Sequence, residues 1–227
     1  MNFTQSIEPF CEGRLKDGGP EYLNSISAFL MSFWCYYRYK HYIMKNICSR
    51  DIHFIYSLLI VNCFMSALFH WTLILGWKMF DEITMILPLW IGIQSMMFIL
   101  FKDTREIMRR NLFILNTSNV ALIVLNSFEN FQSLFPILFS IEMFYLHHVY
   151  VELQKKYIDH HNVGERGVQI CAISGFMWWI TEKFLCHKYF IFGHLLWHIG
   201  MPIGVDYILQ YTIYIYTKFH PRLLHIV

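Results

Sequence analysis

Residues 52–74 read IHFIYSLLIVNCFMSALFHWTLI and contain no Asp, Glu, Lys or Arg. A helix needs about 20 mostly apolar residues to cross the hydrocarbon core of a bilayer, so this run predicts a transmembrane helix. Other runs of similar character precede and follow it. The full set lies near residues 23–43, 52–74, 82–101, 111–130, 133–153, 168–187 and 190–216. The sequence therefore predicts an all-α membrane protein built as a seven-transmembrane-helix bundle.

The composition of the whole chain agrees with a lipid environment. Hydrophobic residues make up 56% of the 227 residues and charged residues 15%, against roughly 45–50% and 25% in soluble domains. The net charge of +2 is small and spread over short loops, which argues against a nucleic-acid partner. Because no linker or repeat divides the chain, we expect one domain over residues 1–227, with residues 1–22 as an N-terminal segment. No protein partner is inferred.

The basic residues predict the orientation of the bundle, because Lys and Arg accumulate in the cytoplasmic loops of membrane proteins. If the seven runs alternate, 13 of the 18 basic residues lie on the side that faces the cytoplasm. These are Arg38, Lys40, Lys45, Arg50, Lys102, Arg105, Arg109, Arg110, Lys155, Lys156, Arg166, Lys218 and Arg222. We therefore expect a multi-pass protein of the endoplasmic reticulum, Golgi or plasma membrane. Its N-terminus is expected to be lumenal or extracellular and its C-terminus cytoplasmic.

Three histidines are predicted to reach the same end of the bundle. His70 lies near the lumenal end of the second run, and the last run begins at that end with His194 and His198. Histidines four residues apart share one helix face at metal-ligand separation, although such pairs also occur by chance and often donate to backbone carbonyls. Because the predicted topology brings His70 to the same depth, we expect a zinc ion on all three. Three imidazoles with an open fourth position are typical of catalytic zinc, which lowers the pKa of a bound water to about 7.

Other polar residues in or beside the predicted spans are candidates for the chemistry. The chain lacks an HExxH motif, so Asp81, at the lumenal start of the third run, is the natural proton acceptor, with Glu82 second. Ser66, one turn before His70, could donate a hydrogen bond to the bound water or to an oxyanion, or could be an ordinary packing residue. Glu142 could bond a substrate hydroxyl or pair with a neighbouring polar group.

Short motifs spread from the N-terminus to the last run belong together. They are Cys11-Glu12, Glu21-x-x-Asn24-x-x-Ser27, Ser66-x-x-x-His70, Asp81-Glu82 and Gly193-His194-x-x-Trp197-His198. This set resembles the alkaline ceramidases, which belong to a wider superfamily of heptahelical membrane hydrolases. The resemblance covers nearly the whole chain, and it implies zinc on the three histidines with Asp81 and Ser66 beside the zinc-bound water.

The same resemblance implies further structure at the lumenal end. It implies a disulfide between Cys11 and Cys186, in an oxidising setting, and a role for Glu182 in orienting a zinc-binding histidine. The family also binds calcium near its N-terminus, where this chain offers Glu12 and Glu21. Arg14 stands where the family has an Asn, so calcium is doubtful here, and the Arg could instead tie the acidic segment together.

The leading interpretation is a zinc-dependent intramembrane amidohydrolase that cleaves the N-acyl amide of ceramide to a sphingoid base and a fatty acid. One alternative is another lipid hydrolase of the same superfamily, acting on an ester or a glycolipid. A second is a heptahelical receptor in which the zinc site is structural. A channel or transporter is disfavoured, because no paired, broken half-helices occur at matching positions.

Overall fold

The computed structural model describes residues 4–16, 18–45, 47, 49–101, 105–126, 135–159, 161–187 and 191–219. Lys102, Lys188 and Arg222, which entered the topology prediction, lie outside the described residues. Across the described residues the regular structure is helical, apart from one isolated bridge between Ser6 and Ile74. The helices are α1 (Cys11–Arg14), α2 (Tyr22–Met44), α3 (Arg50–Thr72), α4 (Leu75–Leu100), α5 (Arg105–Asn126), α6 (Phe135–Lys156), α7 (Val163–Lys183) and α8 (Phe192–Phe219).

The seven long helices, α2 to α8, fall on the seven apolar runs, and the prediction of an all-α fold is confirmed. Two of them, α3 and α4, are long and apolar enough to cross a membrane by length and composition. That all seven helices cross, and that the N-terminus is lumenal, stay predictions. In the bundle α3 packs between α2 and α4, α6 packs on α4, and α8 packs on both α7 and α2.

The turn between α3 and α4 is shorter than the sequence suggested. We expected the third span to begin at residue 82, but α4 begins at Leu75, and only Leu73 and Ile74 separate the two helices. Leu73 has a φ of 52°, in the left-handed region, and this ends α3 abruptly. Because apolar windows mark the bilayer and not the hydrogen-bonded ends of a helix, the prediction missed the first turns of α4. Asp81 consequently lies inside the helix instead of before it.

Close packing of α7 against α8 depends on glycine. A Cβ atom at Gly167 would lie 2.6 Å from the carbonyl oxygen of Gly204, and one at Gly204 would lie 2.8 Å from the carbonyl oxygen of Gly167. Without side chains at these positions the two backbones touch, as is frequent where membrane helices associate through small residues. This contact joins the first turns of α7 to the middle of α8, while the histidine-bearing turn of α8 meets the C-terminal turn of α7 at Gly193, where a Cβ atom would clash with the side chain of Thr181.

A buried ionic cluster ties α2, α3 and α8 together at the end of the bundle away from His70. Asp206 of α8 pairs with Arg38 of α2, whose Nη2 lies 2.8 Å from Asp206 Oδ2. The hydroxyl of Tyr42 donates to Asp206 Oδ1 at 3.1 Å, and Tyr56 of α3 donates to the same oxygen. A buried carboxylate is tolerated when it is paired and hydrogen-bonded in this way. The cluster fixes the relative position of the helices that carry the histidines.

Candidate metal centre

The structure brings His70, His194 and His198 together in the interior of the protein. Their exposed fractions are 1%, 5% and 7%, and one ring nitrogen from each lies within 4.8 Å of the others. The ring centroids are 4.6 to 4.9 Å apart. His70 comes from the last turn of α3, and the other two come from the first turns of α8. Among the described residues this is the group of His, Cys, Asp and Glu side chains able to hold a metal ion.

Each of the three imidazoles is held at Nδ1 by an oxygen atom. His70 Nδ1 lies 2.6 Å from Glu21 Oε2, and His194 Nδ1 lies 3.1 Å from Glu182 Oε1. His198 Nδ1 lies 2.9 Å from Ser27 Oγ. With Nδ1 engaged, each ring has Nε2 left for the centre of the cluster. This is the arrangement that orients metal-ligating histidines in proteins.

The tautomer of His198 follows from the second hydrogen bond of Ser27. The Ser27 hydroxyl donates to the carbonyl oxygen of Asn24 at 2.9 Å, so toward His198 it acts as an acceptor. Nδ1 of His198 therefore carries the proton, and Nε2 has a free lone pair. The carboxylates of Glu21 and Glu182 are likewise acceptors for the other two rings. The donor set consists of three neutral imidazole nitrogens, which fits zinc.

Ser66 and Asp81 lie on the bundle side of the histidine cluster. Ser66 Oγ is 3.4 Å from His198 Nε2, and Ser66 is close enough to the Asp81 carboxyl group to interact with it. Asn62 of α3 holds Asp81 in place by donating to its backbone carbonyl at 2.8 Å and to its Oδ1 at 3.0 Å. Both Ser66 and Asp81 are buried. A hydroxyl donor thus lies next to the expected metal position, and a carboxyl group lies beside that hydroxyl.

The N-terminal segment covers the centre from the other side. The ring of Phe10 contacts His194 with centroids 4.5 Å apart and His70 at 5.6 Å. Cys11 and Cys186 are joined by a disulfide, and the backbone N–H of Cys11 donates to Glu182 Oε2 at 2.8 Å. The segment is therefore anchored beside the histidines and excludes water from them.

Comparison with known protein families decides the relationship. The family profile described as Ceramidase matches residues 9–222. This range includes all the helices in the described part of the chain. The chain belongs to the ceramidase family. A search of curated proteins finds no match.

In this member of the ceramidase family an apolar cavity opens next to the histidines. The metal-side cavity has an empty volume of about 550 Å³, and its polar lining includes Ser66, Asn62 and His198. Phe139, Trp197 and Met201 contribute to the apolar remainder. Ligand pockets in proteins typically combine an apolar wall with a few polar groups. The cavity suits a lipid whose polar part lies at the metal centre.

Glu12 and Glu21, the acids that the sequence offered for calcium, already have other partners in the structure. Glu12 accepts hydrogen bonds from the backbone N–H groups of Leu23 and Asn24 and an ion pair from Lys16 at 2.7 Å. Glu21 accepts from Asn24 Nδ2 at 3.2 Å and is engaged with His70. Calcium takes about six to eight oxygen ligands, and these carboxylates already serve other donors.

Burial and pairing affect two charged side chains near the N-terminus. Burial raises the pKa of the Glu21 carboxyl above its ordinary value, while the nearby His194 acts in the opposite direction. Arg14 was expected to bind the acids of its own segment. Instead its Nη2 lies 3.2 Å from Glu182 Oε2 at the end of α7, and it also donates to the Glu182 carbonyl at 2.8 Å. Lys16, not Arg14, is the cation beside Glu12.

Sequence reasoning named the three histidines, Ser66, Asp81 and Glu182, and the structure places all of them around one centre. It missed the contacts of Glu21 with His70, of Ser27 with His198, and of Asn62 with Asp81. The signal for the first two was present in the Glu21-x-x-Asn24-x-x-Ser27 spacing, which places polar groups along one helix face.

Proposed function

We propose that this ceramidase-family protein is a zinc-dependent intramembrane amidohydrolase that cleaves ceramide to a sphingoid base and a fatty acid. The observation that carries the proposal is the convergence of three buried imidazoles, each held at Nδ1, beside an apolar cavity. His70, His194 and His198 would hold the ion. A zinc ion bound there would supply Lewis acidity and an activated water at neutral pH.

The protein's own residues supply the proton transfers. Asp81 accepts a proton from the attacking water and delivers it to the nitrogen that leaves, so water and amide become acid and amine. Asn62 keeps the Asp81 carboxylate oriented through both of its contacts. Ser66 donates a hydrogen bond to the acyl oxygen as negative charge develops on it. Phe10 and the apolar wall of the metal-side cavity keep bulk water away from these groups.

A catalytic role is favoured over a receptor with a structural zinc. Structural zinc sites are closed by four protein ligands, whereas catalytic sites use three and keep one position open. Among the described residues the cluster has three candidate ligands, and Ser66 and Asp81 lie beside it. Hydrolysis of another lipid, such as an ester, would use the same groups. An assay that compares an amide lipid with an ester lipid distinguishes the two activities.

The membrane arrangement is part of the proposal. All seven long helices would cross, with the N-terminal segment and the metal centre at the lumenal or extracellular side and 13 basic residues toward the cytoplasm. A lipid could then reach the metal-side cavity from the bilayer. An N-glycosylation acceptor appended to the N-terminus is expected to be modified and one appended to the C-terminus is not. Modification of the C-terminal tag would contradict this topology.

The experiment is ceramide hydrolysis by the purified, zinc-loaded protein in detergent micelles, with a matched ester lipid assayed in parallel. Asp81→Asn is expected to lower kcat by roughly 10²–10⁴-fold while the protein still binds zinc. Asp159→Asn is the control, because Asp159 is also a buried carboxylate, bound to Gly164 N in the α6–α7 loop. Cleavage of the ester lipid alone would mean that the protein is another lipid hydrolase and not an amidase. Absence of cleavage of either lipid would overturn the proposal.

A further inference from the structure

Glu142 interrupts the apolar stripe that α6 buries in the bundle. The other members of this stripe near it are Phe139, Leu146 and Val149, which recur at the spacing of one helix face. Glu142 is only 4% exposed, so its carboxyl group is as deeply buried as theirs. A carboxyl group in such a position needs a hydrogen-bond or ionic partner to offset its lost hydration.

The described part of the chain offers Glu142 no such partner. Neither Oε1 nor Oε2 has a hydrogen-bonding group within reach among the described residues. Other buried acids behave differently, since Asp206 has Arg38, Tyr42 and Tyr56, and Asp81 has Asn62. Polar residues that are buried in membrane helices without a structural partner commonly serve a ligand.

The position of Glu142 on α6 relates it to two adjoining cavities. Phe139, about 4.5 Å before it along the helix, lines the metal-side cavity and contacts Trp197. Leu146, about 6 Å after it, lines a far cavity of about 450 Å³ empty volume. The two cavities share Pro88 and Leu89 of α4 in their walls, and α6 packs on α4. Glu142 thus lies on the same face of α6, between one residue that lines the metal-side cavity and one that lines the far cavity, although it lines neither cavity itself.

The chemistry of the surroundings selects the kind of group that Glu142 can bind. The polar lining of the metal-side cavity is concentrated at Asn62, Ser66 and His198, and the wall between the cavities is apolar. A hydroxyl group can hydrogen-bond to the carboxyl group of Glu142 without bringing a charge into this region, whereas an ammonium group would have to be desolvated. The ligand is therefore a largely apolar molecule that carries a hydroxyl group.

We propose that Glu142 binds a hydroxyl group of the sphingoid part of the lipid and selects hydroxylated over deoxygenated substrates. The inference rests on the proposed function, which places the amide at the metal centre. In a sphingoid base each of the first two hydroxyls is on a carbon adjacent to the one that bears the amide nitrogen. A lipid bound with its amide at the histidines therefore places these hydroxyls in the metal-side cavity, whose wall includes Phe139, and Glu142 follows Phe139 by about one turn of α6.

The test compares an N-acyl sphingoid lipid with its 1-deoxy and 3-deoxy analogues. Dissociation constants are measured by intrinsic tryptophan fluorescence in micelles, in an Asp81→Asn background so that the ligand is not consumed. With Glu142 present, the analogue that lacks the recognised hydroxyl is expected to bind roughly 10- to 100-fold more weakly than the diol. Glu142→Leu should weaken the diol to the level of that analogue and leave the analogue unchanged, while Glu142→Gln should keep part of the difference.

Asn119→Leu is the matched control. Asn119 of α5 is also buried and also has an unpartnered oxygen among the described residues. No residue of α5 lines either cavity, however, whereas α6 contributes Phe139 and Leu146 to them. The Asn119→Leu variant should leave the preference for the diol unchanged. Equal weakening of all three lipids by Glu142→Leu, an unchanged preference in that variant, or no binding of any of them would overturn the inference.

Hydrolysis by the protein with Asp81 intact separates this inference from the proposed function. A Glu142-dependent preference in binding without cleavage would retain the hydroxyl site and reject the amidase. Cleavage of all three lipids with kcat/KM values that Glu142→Leu lowers equally would retain the amidase and reject the hydroxyl site.

Discussion

Ser27 illustrates how single residues prepare the metal centre. Its one hydroxyl donates to the Asn24 carbonyl and accepts from His198 Nδ1, so the helix backbone decides which way the hydroxyl proton points. The imidazole then has Nε2 free for a metal. Glu21 and Glu182 do the same for the other two rings with carboxylates, which also make the imidazoles more basic ligands.

Ser27→Ala is expected to weaken zinc binding by roughly 10- to 100-fold, because His198 loses the acceptor that fixes its ring. Ser32→Ala is the control, since Ser32 is on the same helix and its hydroxyl donates only to the Phe29 carbonyl. Competition with a chelator of known affinity measures the difference. Equal zinc affinities for the two variants would show that Ser27 does not position His198.

The candidate metal ligands could be predicted from the sequence, but several residues that position their side chains could not. The histidines stood out because ionisable groups are rare in apolar runs. Ser27 is 171 positions from His198, and Glu21 is 49 positions from His70. Such partners meet only after the helices pack, and a serine or an acid near the start of a span has many other possible roles.

At the scale of elements, the N-terminal segment is fastened across the end of the bundle at both of its sides. Its first part pairs with the α3–α4 turn, where Ile7 N donates to the Leu73 carbonyl at 3.0 Å and Leu75 N to the Gln5 carbonyl at 2.9 Å. Its second part is attached to the end of α7 through the disulfide and Glu182. The disulfide prediction is thereby realised between elements that are far apart in the chain.

Loss of the disulfide is expected to destabilise the protein by roughly 2–5 kcal/mol, because Cys11 and Cys186 close a loop with a sequence separation of 175. Thermal unfolding of a Cys11→Ser, Cys186→Ser double variant measures the effect. A reducing agent should lower the melting temperature of the native protein toward that of the variant and leave the variant unchanged. A native protein that is insensitive to reduction and as stable as the variant would contradict the expectation.

Gly204→Ala is expected to destabilise the protein by roughly 1–3 kcal/mol and to weaken zinc binding, because the added carbon would force α7 and α8 apart. Gly92→Ala is the matched control. A Cβ at Gly92 would have its nearest neighbour, Ile55 Cδ1, at 4.0 Å, so this change should be neutral or stabilising for the helix. Thermal unfolding of both variants measures the difference. Equal stabilities of Gly204→Ala and Gly92→Ala would contradict the account of the α7–α8 contact.

The places of the seven long helices could be predicted because each coincides with an apolar run, whereas their ends could not. The start of α4 depends on the left-handed turn at Leu73, and nothing in the apolar pattern marks it. The contact of Gly167 with Gly204 was also missed, since a glycine in a helix has no sequence signal for the partner it faces.

At the scale of the whole molecule, one end of the bundle contains the buried ionic cluster and the other contains the histidine cluster. The Asp206 cluster ties α2, α3 and α8 at one end. The same three helices, or the residues just before them, carry Ser27, His70, His198 and Glu21 at the other end. Between the two ends lie the metal-side and far cavities. A bundle fixed at one end and covered by the N-terminal segment at the other keeps the three imidazoles close without a fourth ligand.

The most direct test of the account is the zinc content of the purified protein, measured by mass spectrometry against protein concentration. We expect about one zinc per chain in the native protein and in His161→Ala, whose histidine is exposed in the α6–α7 connection, and little or none in His194→Ala. Ceramide hydrolysis in the same samples should follow the zinc content. A native protein without zinc, or a His194→Ala variant that retains a full equivalent, would contradict the assignment of the metal centre.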